Sequence, residues 1–285
     1  MNAILWLNET SESKINLFEY FRLALLNLFD DNLYLTSNLD QVNEINNLII
    51  LDEHFESHKN IILQKGNIDK LNKQNCNVII FNFEKIYNSH FKFNQVNQRK
   101  FNKIKNLTHI LSDVEDIKKL GTPFMNKQLI SKEYQINFDL PQKKNEILFI
   151  GQIKGNAYKK RRQTISKLSQ IFHLPFTCKF PNRNLNFEDF LYELSKYKFV
   201  LNPLGAGHFI NVRYYESLLV NSIPIQQQTT NMKSYFNELT DDFSINFDTI
   251  DLSLNRKINK FEYKSFNYFL EDYFHDVNFS SFLRK

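Results

Sequence analysis

The sequence predicts an α/β protein made of two Rossmann-like halves, each carrying a parallel sheet. Three observations predict it. Short apolar runs alternate with stretches of helical spacing, and strands alternating with helices imply parallel sheets. The alternation pauses over the polar stretch 126–145, with Pro141, Gln142, Lys143, Lys144 and Asn145 at its end, and then begins again. The 285 residues also suit two domains of ordinary size. The expected division is 1–143 and 144–285; a single long sheet is the alternative.

In the first half, Ala3, Ile4, Leu5, Trp6 and Leu7 form a buried strand. Behind cap candidates Ser11 and Ser13, the residues Ile15, Phe18, Phe21, Leu25 and Leu28 recur at helical spacing over 14–29. Strand-like runs follow at 33–36, 48–51, 78–81 and 108–111. The second half reads as strand 146–150, helix 158–172, strand 176–180, helix 187–196 and strand 198–202. A helix at 212–220, a strand at 223–226, a helix at 232–239, a strand at 243–247 and an aromatic-rich helical tail over 260–282 complete it.

Hydrophobic residues make up 42% of the chain, enough for a substantial core. The net charge of +5 fits an anionic ligand and permits nucleic acid, but falls short of a dedicated nucleic-acid binder. Cys76 and Cys178 are isolated, without zinc-ligand spacing, so a reduced protein is expected. The start MNAILWLNETSES lacks the basic residues and apolar length of a signal peptide. No run approaches the roughly 20 apolar residues of a membrane span. The expectation is a soluble, cytoplasmic protein.

The densest information lies in KYKFVLNPLGAGHFINVRYYESLLVNSIPIQQQ, residues 196–228. The chain has only six glycines and six prolines, yet Pro203, Gly205, Gly207 and Pro224 all fall here. The segment reads as strand, Gly-rich loop, helix and strand. A helix N-terminus behind such a loop suits an anion. Arg213 can fork onto a phosphate, and Glu216, three residues on, shares its helix face. Together they suggest a nucleotide-diphosphate site. The plainer alternative is a turn at Gly205 and Gly207 beside a surface Arg213–Glu216 pair of little worth.

A second strand ends at Gly151 and leads through Lys154 and Gly155 to Lys159, Lys160, Arg161 and Arg162, which open a helix. Gly151 would let backbone amides approach a ligand, and Arg161 or Arg162 could bind phosphate. Cations in a first turn oppose the helix dipole, so an anion would relieve the conflict. A solvated basic face is the alternative. Both loops lie at carboxyl ends of strands, where open α/β sheets bind ligands. No GxGxxG, P-loop or GxSxG pattern occurs, which argues against dehydrogenases, P-loop NTPases and most α/β hydrolases.

The stretch KFVLNPLGAGHFINVRYYESLLVNSIPIQ resembles the donor-binding motif of exostosin-like and related GT-B glycosyltransferases. Pro203, Gly205 or Gly207, Arg213, Glu216, Ser222, Ile223 and Pro224 fill its positions; Asn221-Ser222 stands where that family usually has glycine. Phe209, Ile210, Arg213, Tyr214 and Glu216 also resemble the core of phage DNA β-glucosyltransferase. The resemblance implies two Rossmann-like domains facing a cleft, with Glu216 on the ribose of the nucleotide and Arg213 on its diphosphate. It implies a nucleotide sugar, with a UDP-sugar expected, as co-substrate. It implies no metal and no other cofactor, and the chain has no DxD motif to argue otherwise.

Inverting transfer needs a general base near the acceptor hydroxyl. Asp113, after an expected strand and the local analogue of the phage enzyme's aspartate, leads; Glu115, Asp116 and Glu9 are alternatives. His208 could touch sugar or phosphate. A glycan or surface polysaccharide is the expected acceptor. DNA is the alternative, with Lys92, Arg99, Lys100, Lys103 and Lys105 among Phe91, Phe93 and Phe101 as its footprint. A non-catalytic binding module is the reading of another class.

Overall fold

The computed structural model describes residues 2–5, 33–36, 39, 44–51, 66–82, 103–111, 136–155, 158–179, 187–204, 210–233 and 241–262. The chain divides into two compact units, one holding the first five strands and the other the last five.

The first sheet contains β1 (Asn2–Leu5), β2 (Leu33–Thr36), β3 (Asn47–Leu51), β4 (Asn77–Asn82) and β5 (Leu107–Leu111). Its order is β2-β1-β3-β4-β5, and every pairing is parallel. Helix α1 (Asn67–Lys73) joins β3 to β4. Leu71 of α1 packs on Leu48, Ile50, Val78 and Ile80. Asn47 and Asn77 are register partners, and their buried side chains bond each other at 3.0 Å. Each thus satisfies a polar group the core would otherwise penalise.

The second sheet contains β6 (Lys144–Ile150), β7 (Phe176–Lys179), β8 (Tyr197–Asn202), β9 (Ile223–Gln227) and β10 (Ile245–Phe247). Its order, β10-β9-β8-β6-β7, is again wholly parallel. Helices α2 (Lys159–Ile171), α3 (Phe187–Ser195), α4 (Val212–Leu219), α5 (Thr230–Lys233) and α6 (Ser253–Lys260) accompany it. Strands covered on both faces should be apolar throughout. Ile147–Ile150 and Phe199–Leu201 are accordingly buried without a break. One face, with Phe149, Leu201, Ile225 and Phe247, packs on Ile165 and Leu168 of α2 and Leu254 and Ile258 of α6. The opposite face lies under α3 and α4, both of which contact β8.

Helix α4 is buried along nearly its whole length, from Tyr214 through Leu219. The Asn211 side chain caps its start by accepting from the Arg213 amide at 3.3 Å. Asn221 ends it in the left-handed region at φ 56°. Asparagine tolerates that region better than any other non-glycine residue, which explains how Asn221 stands where the resembling motif has glycine. Pro224 inside β9 is explained by register. Gln228 N donates to Phe247 O, so even-numbered amides of β9 face β10, whose pairing starts only at Ile225–Ile245. The donor Pro224 lacks therefore falls before β10 begins.

All ten expected strands form, with edges displaced by two residues at most. Helices α1 and α6 were not among the expected elements. The helix expected at 14–29 and nearly all of the tail at 260–282 lie outside the described residues, as do 234–239 of the helix expected at 232–239.

Candidate functional site

Both sheets share one switch in strand order. In the second, β7 lies on one side of β6, while β8, β9 and β10 extend on the other. The loops leaving β6 and β8 therefore part to opposite faces, opening a crevice at the carboxyl ends. The two glycine-bearing segments of the sequence are these two loops.

Arg161 ties them together. Buried at 8% exposure, it donates from Nη1 to Gln152 O at 3.0 Å and from Nε to Leu204 O at 3.5 Å. Its guanidinium also lies 4.8 Å from the Tyr158 ring centre. The Gln227 side chain accepts from Leu204 N at 3.0 Å, so the Leu204 peptide is held at both ends. Arg162 donates to Ile153 O, and to Gly155 O at 2.7 Å, where Gly155 turns at φ 94°. Arg161 and Arg162, the expected phosphate ligands, thus also shape the β6 loop through these carbonyls.

Arg213 leaves the first turn of α4 and reaches back to β6. Its Nη1 donates to Ile150 O, and its guanidinium lies 5.2 Å from the centre of the Phe190 ring on α3. A Cβ on Gly151 would stand 2.7 Å from that Nη1 and 3.2 Å from the Phe149 ring. Glycine at 151 thus makes room for the Arg213 fork. Its own amide donates to Lys179 O at 3.2 Å.

Glu216 follows on the same face, with Oε2 3.8 Å from Arg213 Nε. The side chains are only 3% and 16% exposed, so a surface pair is ruled out. Burial pushes the Glu216 carboxyl up to about 7, against the pull of the Arg213 charge. Burial also lowers Arg213 from its ordinary value, yet a guanidinium keeps its proton at any physiological pH. At 3.8 Å the pair is a charge contact rather than a hydrogen bond. Arg213 Nε and Glu216 Oε2 are both buried without a hydrogen-bond partner.

Three further buried atoms without partners gather at the same strand ends: Asn202 Oδ1, Gln228 Oε1 and Thr229 Oγ1. Asn202, Gln226 and Asn246 are register partners across β8, β9 and β10. They form a buried polar row on the α4 face, where Tyr214 OH, Ser244 Oγ and Asn246 Oδ1 join it at 3.3 and 3.1 Å. Native proteins leave few buried polar atoms unpaired, so a cluster of five at one crevice calls for a missing partner.

Of the expected site residues, Gly151, Arg161, Arg213 and Glu216 surround this crevice, and Arg162 stands behind its β6 loop. Gly205, Gly207 and His208 lie outside the described residues, as do Asp113, Glu115, Asp116 and Glu9. So do Lys92, Arg99 and Lys100 of the DNA footprint. Asn202, Gln228 and Thr229 were not foreseen. Their signal in the sequence is faint: polar residues at carboxyl ends of strands. Among the described residues no group of three His, Cys, Asp or Glu side chains could hold a metal ion. No helix among them is long and apolar enough to cross a membrane.

No protein-family model and no curated protein matches the chain. Solved structures overlap with it loosely. A mutant of S. aureus TarM, in complex with fondaparinux, alpha-GlcNAc-glycerol and UDP, aligns at TM-score 0.47 and 12% identity. That alignment covers 82% of this chain and 54% of TarM, so the chain spans about half of TarM's length. An alpha1,3-fucosyltransferase with GDP-fucose aligns at 0.44 and 14%, covering 99% of this chain and 79% of that one. Arabidopsis thaliana UGT89C1 complexed with UDP-L-rhamnose aligns at 0.37 and 11%, covering 90% and 74%. At these scores and identities the overlaps say nothing about chemistry in this chain.

Proposed function

We propose that the protein is a GT-B glycosyltransferase that moves a sugar from a nucleotide-diphosphate donor, a UDP-sugar, to a hydroxyl of a glycan or surface polysaccharide. The observation that carries this reading is the cluster of unpaired buried polar atoms at the switch point of the second sheet, built around Arg213 and Glu216. The motif resemblance over residues 198–226 supports it from the sequence. In this reading residues 144–285 bind the donor and 1–143 bind the acceptor.

The roles follow from chemistry. Glu216 accepts from ribose hydroxyls, which supply the donors Oε2 lacks. Arg213, at the start of α4, stabilises negative charge on the diphosphate as it leaves, without a metal. Arg161 acts through the loops, holding Leu204 and Gln152 in place. In an inverting transfer the acceptor oxygen attacks the anomeric carbon. The bond to the phosphate oxygen breaks with its electron pair, and the acceptor proton passes to the Asp113 carboxylate.

Calorimetry with UDP, GDP, CMP and their sugars tests this. Wild type should bind one nucleoside diphosphate and its sugar. Arg213→Lys keeps the charge but loses the fork, and should weaken binding by about tenfold to a hundredfold. A wild type that binds none of these nucleotides sinks the proposal and favours a non-catalytic module.

A further inference from the structure

The unpaired atoms are not of one kind. Four of them (Asn202 Oδ1, Glu216 Oε2, Gln228 Oε1 and Thr229 Oγ1) are oxygens, and only Arg213 Nε is a nitrogen donor. A diphosphate presents acceptors alone, so it satisfies the arginine and none of the amide oxygens. The ligand must bring several O–H or N–H donors to the strand ends as well.

The orientation of Asn202 is fixed by a relay. Gln227 O can only accept, so the group that Gln226 turns toward it must be its Nε2 amide. Gln226 Oε1 then faces Asn202 and accepts from Nδ2. Asn202 Oδ1 is left over, buried and without a donor. Flipping either amide would set two donors or two acceptors against each other. Gln228 and Thr229 continue the chain beyond β9, directly after the row that Asn202 begins. Both are largely buried, and neither oxygen is used within the fold.

We propose that Asn202, Gln228 and Thr229 form a subsite for the transferred sugar ring, reading its hydroxyls as donors. Within the UDP-sugar reading the base offers too few: uracil has one imide N–H, against the two acceptor-only amide oxygens of Asn202 and Gln228, while the Thr229 hydroxyl can accept or donate. A sugar with several free hydroxyls matches them, and a deoxygenated ring would leave oxygens unpaired. The proposal rests on the nucleotide-sugar reading. It adds that recognition of the sugar belongs to the carboxyl ends of β8 and β9.

The test compares Thr229→Val, and the double variant Gln228→Met with Thr229→Val, against wild type. Affinity is measured for UDP and GDP and for their glucose, galactose, N-acetylglucosamine, mannose and fucose conjugates. For the sugar that wild type prefers, the variants should lose about tenfold per hydrogen bond removed, with affinity for the bare nucleotide unchanged. The near-isosteric Thr229→Val should fold with a melting temperature equal to or above that of wild type, because it removes an unpaired buried hydroxyl. Equal loss for nucleotide and conjugate, or no loss for either, overturns the proposal alone. A wild type that binds no nucleotide and no conjugate overturns the donor reading and this subsite together.

Discussion

The two edges of the second sheet hold buried polar groups in opposite ways. At the amino edge, Lys143 Nζ donates to Ser195 O, Val220 O and Ser222 Oγ at 2.9, 2.8 and 3.1 Å. Ser222 Oγ in turn donates to Tyr197 O at 2.7 Å. Three ammonium donors meet three acceptors, and the ends of α3 and α4 are closed. At the carboxyl edge, Arg213 Nε, Glu216 Oε2, Asn202 Oδ1, Gln228 Oε1 and Thr229 Oγ1 face no partner. The same fold completes its hydrogen bonding where it needs only stability, and leaves it incomplete where a ligand is to supply the rest. Unpaired groups cost stability, so their concentration at one edge marks that edge as the working one.

The largest effect should come from breaking the closed edge. Lys143→Ala strands two helix-end carbonyls and should cost about 3 kcal/mol in chemical denaturation, summing about 1–3 kcal/mol for each lost partner. Nucleotide affinity should stay unchanged, since the open edge is untouched. A loss of affinity without a loss of stability would reverse the assignment of the two edges.

Next in size is the pH dependence of the open edge. The Glu216 carboxyl titrates near its ordinary 4.5 when unfolded and near 7 when folded. Its folded pKa is raised, so its contribution to stability is full below pH 4.5 and is lost as pH rises through 7. At about 1.4 kcal/mol per pKa unit the change should amount to about 3 kcal/mol at most, and Glu216→Gln should flatten it. Binding of the nucleotide sugar should run the other way in wild type, tightening as pH rises through 7 and the carboxylate forms. A wild-type stability curve as flat as that of the variant would show that Glu216 is not held protonated.

The smallest effect concerns Gly151, at the end of β6. Gly151→Ala sets a methyl 2.7 Å from Arg213 Nη1, so the guanidinium must move off Ile150 O. The side chain is flexible and the stability cost should be about 1 kcal/mol. The nucleotide affinity should fall more than the stability. Unchanged affinity would mean that Arg213 works equally well displaced.

Much of the fold was legible because its signal is local. The runs Ile147–Ile150, Phe199–Leu201 and Ile223–Ile225 are apolar on both faces, as central parallel strands must be. Helix α6 was hidden because only Leu254 and Ile258 mark its buried face among polar neighbours. Helix α1 was hidden because it starts at Gly66 in a left-handed turn, φ 94°, with no side-chain cap to announce it. Of the site, Arg213 and Glu216 could be singled out because scarce glycines and prolines flank them. The contacts of Gly151, Arg161 and Arg162 within the fold could not be read, because they depend on which groups lie opposite.

By itself, then, the sequence determined the alternation of strands and helices and the pairing of Arg213 with Glu216 on one helix face. These are properties of neighbours along the chain, set by periodicity and by the dihedral limits of glycine and proline. Only the tertiary structure decided strand order, the switch between β6 and β8, and which polar groups remain without partners. Hydrogen-bond satisfaction joins residues far apart in sequence, as Arg213 to Ile150 or Lys143 to Val220 shows, and no local pattern records it.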